Sequence, residues 1–169
     1  MKDKYSEQQS ASPPRELVYV LIFGVAAGVL SVILNISITL SNLPTFQLVA
    51  REGDRVSYNT ALAVAGLQCL NFLVTLFICL VGGYLVGRFT VQRRLGFYTG
   101  MLAGIIIYLS SFLVNFIPNY PGKFTPNIVT AIVFLCIWSF IGGMMSLLGA
   151  WLATRRHPYY ASKRSSETM

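Results

Sequence analysis

The sequence predicts an all-α membrane protein: four transmembrane helices in two similar hairpins, with the N and C termini in the cytoplasm. Three observations predict it. Four long stretches, Leu17–Leu40, Val56–Gly87, Leu95–Gly122 and Phe124–Thr154, contain no charged residue. The basic residues gather in alternate connections between these stretches. The two halves also repeat a spaced pattern of Gly, Ser and Asn.

Of 169 residues, 54% are hydrophobic and only 11% are charged, whereas a soluble domain carries about 25% charged residues. A charge at the bilayer centre costs roughly 2.5–3.5 kcal/mol, which accounts for the deficit. A span needs about 20 apolar residues. Four spans and their connections therefore use nearly the whole chain, leaving no room for a soluble catalytic domain. The net charge of +7 reads as topology, not as a nucleic-acid surface. Lys2, Lys4 and Arg15 precede the first span; Arg88, Arg93 and Arg94 separate the second from the third; Arg155, Arg156, Lys163 and Arg164 follow the fourth. The other connections hold only Arg51, Arg55 and Lys123. This asymmetry predicts that both termini lie in the cytoplasm by the positive-inside rule; the expected location is the plasma membrane.

Residues 1–16 are polar and contain Pro13 and Pro14, which predicts a flexible cytoplasmic tail. The bundle occupies 17–154. Span one covers about 17–40; at ~1.5 Å per residue it reaches about 36 Å, enough to cross with some tilt. Its apolar run is too long for the core of a cleaved signal. The connection Ser41–Thr60 follows. Its centre, Phe46–Arg55, fits either a short interfacial helix ended by Gly53 or an irregular loop. Span two covers 61–86, and the basic segment Gly87–Leu95 turns the chain into span three, 96–116. Pro118, Pro121 and Pro126 stiffen the next turn, with Phe116, Tyr120 and Phe124 suited to the headgroup level. Span four covers 128–153. Residues 155–169 form a basic cytoplasmic tail in which Pro158 stops the helix.

The halves look duplicated. Gly24, Ser31 and Asn35 match Gly104, Ser111 and Asn115 at one common offset. Gly82-Gly83 before Arg93-Arg94 matches Gly142-Gly143 before Arg155-Arg156, with a small gap. Both hairpins start in the cytoplasm, so the repeat is parallel, with its pseudo-twofold axis along the membrane normal.

Gly24, Gly28, Ser31 and Asn35 fall on one helical face, as do Gly100, Gly104, Ser111 and Asn115. Lipid tails are as apolar as leucine, so small residues that let backbones approach are what hold such helices together. These faces are expected to point inward, with spans one and three against each other. The Gly82-Gly83 and Gly142-Gly143 pairs fit two readings: close packing, or an unwound helix at a transporter's binding site.

No Asp or Glu lies within a span, and the one histidine, His157, is in the C-terminal tail. A His-based catalytic pair and a two-histidine haem site are therefore excluded within one chain. Cys69, Cys79 and Cys136 are dispersed in spans, lack metal-ligand spacing and read as small apolar residues. No phosphate-binding Gly-rich loop occurs. Asn35-Ile-Ser37 fits a glycosylation triplet but sits within or beside a span. No enzyme, cofactor or metal is expected. The first functional expectation is a structural or accessory subunit or self-assembling bundle, partnered by itself or by another membrane protein. The alternative is a small transporter or channel whose polar path runs along Asn35, Gln68, Asn71 and Asn115. Arg88, Arg93, Arg94, Arg155, Arg156, Lys163 and Arg164 are expected to meet anionic headgroups or a docking partner at the cytoplasmic face.

Overall fold

The computed structural model describes residues 13–118, 120 and 124–155, with side chains from Glu16 onward except Asp54. The expectations placed on residues 1–12 and on Arg156, His157, Pro158, Lys163 and Arg164 of the tails, and on Lys123 and Pro121, lie outside the described residues. Among the described residues five α-helices form: α1 Pro13–Ser41, α2 Leu43–Glu52, α3 Tyr58–Thr90, α4 Arg93–Ser110 and α5 Ile128–Thr154. Short 3-10 segments, Gly53–Arg55 and Ser111–Phe116, follow α2 and α4. Four helical segments, Glu16–Ser41, Tyr58–Thr90, Arg93–Phe116 and Ile128–Thr154, are long and apolar enough to cross a membrane.

The helix ends differ from the sequence expectation in physically simple ways. Helix α1 begins at Pro13, four residues before the expected start. Proline is tolerated in a first turn, where its missing N–H has no intrahelical partner anyway. Pro44 sits in the first turn of α2, which ends at Gly53, whose φ of 52° is left-handed. Helix α3 starts at Ser57, whose hydroxyl accepts from Thr60 N–H at 3.3 Å. It then runs through Gly87 and Arg88 instead of turning there. Only Val91 and Gln92 separate α3 from α4. Val91 makes the turn at a φ of 58°, with its N–H on the Gly87 carbonyl, a region that a β-branched residue rarely visits. Helix α4 tightens into a 3-10 segment after Ser110, whose hydroxyl donates to the Ile107 carbonyl at 2.7 Å. Asn127 caps α5 by accepting from Thr130 N–H at 2.8 Å.

Helix α5 packs against α4 and α3, and α1 packs against the same two helices. The start of α1, the α3–α4 turn and the end of α5 meet at one end. There the Gln92 amide donates to both Glu16 carboxylate oxygens at 2.9 and 2.8 Å, and Arg93 Nε donates to Thr154 Oγ1 at 2.9 Å. Tyr19, Phe23 and Phe89 stack beside them.

Many large apolar side chains are exposed, and several hydroxyl-bearing residues are buried. Leu21, Phe77, Phe140 and Val129 are exposed, while Ser31, Thr75, Thr99, Ser139, Ser146 and Thr154 are buried. In water such an exposed apolar girdle would drive association; in lipid it is the solvated face. The buried hydroxyls of Thr99, Ser139 and Thr154 donate back to the carbonyls of Leu95, Leu135 and Ala150, as helical Ser and Thr can without any external partner.

Glycine sets the closest approaches. On α4, Gly96, Gly100 and Gly104 face α5: a Cβ on Gly104 would lie 2.5 Å from the Trp138 carbonyl oxygen, and one on Gly96 2.5 Å from Ala150 Cβ. Gly100 meets the Gly142 carbonyl directly. On the other side of α5, Gly83 meets the Ser146 carbonyl, Gly149 meets the Leu80 carbonyl, and a Cβ on Gly87 would lie 2.6 Å from Ala150 Cα. Helix α1 approaches its neighbours mainly through side chains. Gly24 faces Thr99 and Leu102, Gly28 faces the Ile106 side chain, and Gly82 faces Ala27.

Spans one and three are therefore in contact, but not through matched glycine faces. Gly24 and Gly28 meet larger side chains of α4, while Gly100 and Gly104 turn to α5. Residues at equivalent sequence positions sit in different contacts. The Gly82-Gly83 and Gly142-Gly143 pairs lie within unbroken helices, so neither marks an unwound segment.

Gly100→Ala and Gly83→Ala, which force a Cβ into backbone, should each destabilise the protein by about 1–3 kcal/mol. Gly66, with no atom within 4 Å of a Cβ position, is the control, and Gly66→Ala should stay within about 1 kcal/mol of the parent. Thermal unfolding in detergent, followed by helical circular dichroism, checks this. Equal midpoints for all three variants would contradict the packing.

Candidate functional site

Away from the end where Glu16 and Gln92 meet, the four long helices diverge around a cavity of about 380 Å³. Helix α1 contributes Asn35, Ile36 and Thr39; α3 contributes Gln68, Asn71, Phe72 and Thr75. Helix α4 and its 3-10 extension add Ile107, Ser111 and Val114, and α5 adds Trp138. Phe72 and Trp138 meet edge to face, with ring centroids 5.8 Å apart. Among the described residues none that lines the space is charged.

Local sequence explains the placement. Asn35 lies one helical turn after the buried Ser31, on the face that the preceding glycines hold toward the bundle. Gln68, Asn71 and Thr75 follow one another at i, i+3 and i+7, a single stripe of α3. The Asn35 amide donates across the α1–α3 interface to Thr75 Oγ1 at 3.1 Å. That leaves Asn35 Oδ1 buried without a protein partner, as are Asn71 Oδ1 and Ser31 Oγ. A buried polar atom left unpaired costs about 1–3 kcal/mol. Gln68 is exposed, Asn35, Asn71, Thr39 and Ser111 are half-buried, and Thr75 is buried. The polar lining thus runs from an exposed amide to a buried hydroxyl.

The structure brings together Asn35, Gln68 and Asn71 of the four expected path residues. Asn115 is elsewhere. It is exposed and clamps the α4–α5 connection: its amide donates to the Phe124 carbonyl at 3.0 Å, and its Oδ1 accepts from Phe124 N–H at 2.7 Å. The reason is the change of helix type. A 3-10 segment winds with three residues per turn, so Asn115 no longer follows the Gly100–Gly104 face. Nearby, Tyr120 contacts Phe46 of α2 at 6.1 Å between centroids, and burial pushes its phenol pKa up.

Sequence reasoning missed Thr39, Thr75 and Trp138 in the cavity, and Gly87, Gly96, Ser146, Gly149 and Ala150 in the packing. Two signals were present. Thr75 extends the Gln68–Asn71 stripe, and Gly96, Gly100 and Gly104 form a four-residue repeat opposite Gly142, Ser146 and Ala150.

Arg88, Arg93, Arg94 and Arg155 do not line the cavity. Arg88, Arg94 and Arg155 are exposed at the opposite end, and Arg93 is half-buried there against Thr154. The Arg155 guanidinium lies 5.4 Å from the Trp151 ring centroid, where the ring's negative face attracts a cation. Among the described residues no group of three or more His, Cys, Asp or Glu is placed to hold a metal ion.

No protein-family model matches the chain, and comparisons with curated proteins and with solved structures found no match.

Asn115→Ala should remove both bonds to Phe124 and destabilise the loop by about 1–2 kcal/mol. Limited proteolysis should then cut the α4–α5 connection faster than in the parent. An unchanged cleavage rate would contradict the clamp.

Proposed function

We propose that this chain is a non-catalytic four-helix bundle of the membrane that serves as a structural or accessory subunit, assembled with copies of itself or with another membrane protein. The seam along α5 carries this reading. From Gly104 and Trp138 to Gly87 and Ala150, backbone meets backbone on both sides of the helix. A seam of this kind suits a scaffold. The charge-free spans point the same way, because proton coupling ordinarily uses intramembrane carboxylates.

The orientation belongs to the same proposal. Arg88, Arg93, Arg94 and Arg155 share the end where α1 starts and α5 stops. By the positive-inside rule that end lies in the cytoplasm, which is consistent with a plasma-membrane location. The exposed Arg88, Arg94 and Arg155 are then available to anionic headgroups. The duplicated-hairpin reading rests on the sequence matches around Asn35 and Asn115 and the two Gly-Gly pairs, and the unequal contacts of Gly24 and Gly104 favour diverged halves over a strict symmetry.

A small transporter or channel is the second reading. One observation favours it: Asn35, Gln68 and Asn71 line a single cavity. Transport along them would require the seam to open, since the cavity stops where the glycine contacts begin.

Affinity purification in mild detergent, with mass spectrometry and a native mass on the same sample, separates the two. A stoichiometric partner or a defined homo-oligomer is the expected result. A monodisperse monomer that conducts solute in liposomes, with flux lost in Asn71→Leu, would overturn the accessory reading in favour of transport.

A further inference from the structure

We infer that the cavity between the four helices is a binding site for a neutral, hydroxyl-bearing lipid, taken headgroup first. The inference rests on neither reading above: a partnered subunit, a homo-oligomer and a transporter would each carry this site.

Charge decides the first property of the ligand. Among the described residues the lining contains no Arg, Lys, Asp or Glu, and a charged headgroup brought to this depth would lose its hydration without gaining a counter-charge from them. The ligand is therefore neutral. The polar atoms decide the second property. Asn35 Oδ1 and Asn71 Oδ1 are buried acceptors without a protein partner, and the Gln68 amide adds donors at the exposed side of the same stripe. A hydroxyl both donates and accepts, so one group answers both needs.

The remaining lining decides the third property. Ile36, Phe72, Ile107, Val114 and Trp138 give the space apolar walls, which a polyol alone would leave uncovered and an acyl chain would fill. A volume of about 380 Å³ is at the small end of ligand pockets, enough for a compact headgroup and the first part of a chain. Depth agrees. Thr75, at the buried end of the lining, lies near the middle of α3, so an occupant reaching it sits at the depth of the bilayer's interior.

The test uses the full-length protein in phosphatidylcholine nanodiscs and a monoacylglycerol carrying a diazirine on its acyl chain near the headgroup. After photolysis, labelled residues are mapped by mass spectrometry. The expected result is labelling concentrated on cavity residues such as Ile36, Phe72 and Val114. Unlabelled monooleoylglycerol should compete it away, whereas glycerol and excess phosphatidylcholine should not. Asn71→Leu should lower the cavity labelling roughly tenfold, the scale of one lost hydrogen bond. Val114→Trp, which fills the space and leaves every amide in place, should lower it comparably while keeping the parent's melting profile, and it decides the matter should Asn71→Leu fail to fold. Labelling spread evenly over lipid-facing residues such as Phe77 and Ile132 would overturn the inference. So would equal cavity labelling by a diazirine phosphatidylcholine, or labelling unchanged in Val114→Trp. Competition by glycerol would assign the site to a soluble polyol and overturn the lipid.

Discussion

Backbone contact at glycine governs the rest of this bundle. Helix α5 runs between α4 and α3, and on each side its partners approach at positions without a Cβ: Gly96, Gly100 and Gly104 on α4, Gly83 and Gly87 on α3. Between helices in lipid the hydrophobic effect contributes little, so close dispersion contact has to hold them. Each atom pair gains only about 0.1–0.2 kcal/mol, which makes the number of pairs decisive. A carbonyl seated on a glycine backbone brings many atoms within range at once. Helix α1 meets α4 with Gly28 against the Ile106 side chain and Gly24 against the Leu102 side chain and the Thr99 carbonyl.

The cavity follows from where the seam ends. The last close contact sets Gly104 against Trp138 and Ser139. Beyond it the facing residues are large: Ile107, Phe72 and Trp138 itself. Helices that meet through such side chains stand roughly 8–10 Å apart between axes, leaving space in which polar groups can sit. The Asn35–Thr75 hydrogen bond ties α1 to α3 across that space. Several hydroxyls elsewhere, those of Thr99, Ser139 and Thr154, are satisfied within their own helices, whereas Asn35 Oδ1 and Asn71 Oδ1 at the cavity have no protein partner.

The spans were legible in the sequence because the penalty for charge in lipid is large and acts on every residue of a span. The small-residue faces were legible because helical spacing places Gly24 and Gly28, or Gly100 and Gly104, on one side of a cylinder. Which neighbour each face meets was not. Spacing within one helix carries no information about the helix opposite, so Gly100 and Gly104 were expected to meet span one and meet α5 instead. The convergence of Asn35, Gln68 and Asn71 could be anticipated from their cost in lipid. Asn115 could not be excluded that way, because its exit from the set depends on the local 3-10 winding and on a backbone partner, Phe124, across the connection. Gly87 and Arg88 were taken for a turn on composition, whereas Gly87 is a packing position against Ala150 and the chain turns at Val91.

The most direct test of the seam is magic-angle-spinning NMR on the protein in bilayers, with glycine enriched in carbon-13 at both backbone carbons. The account predicts a through-space cross-peak between the Gly100 carbonyl carbon and Gly142 Cα, assigned by its loss in Gly100→Ser or Gly142→Ser. A spectrum with strong sequential Gly82–Gly83 and Gly142–Gly143 peaks but no Gly100–Gly142 peak would contradict it, since α4 and α5 would then stand apart at the point where the structure requires them to touch.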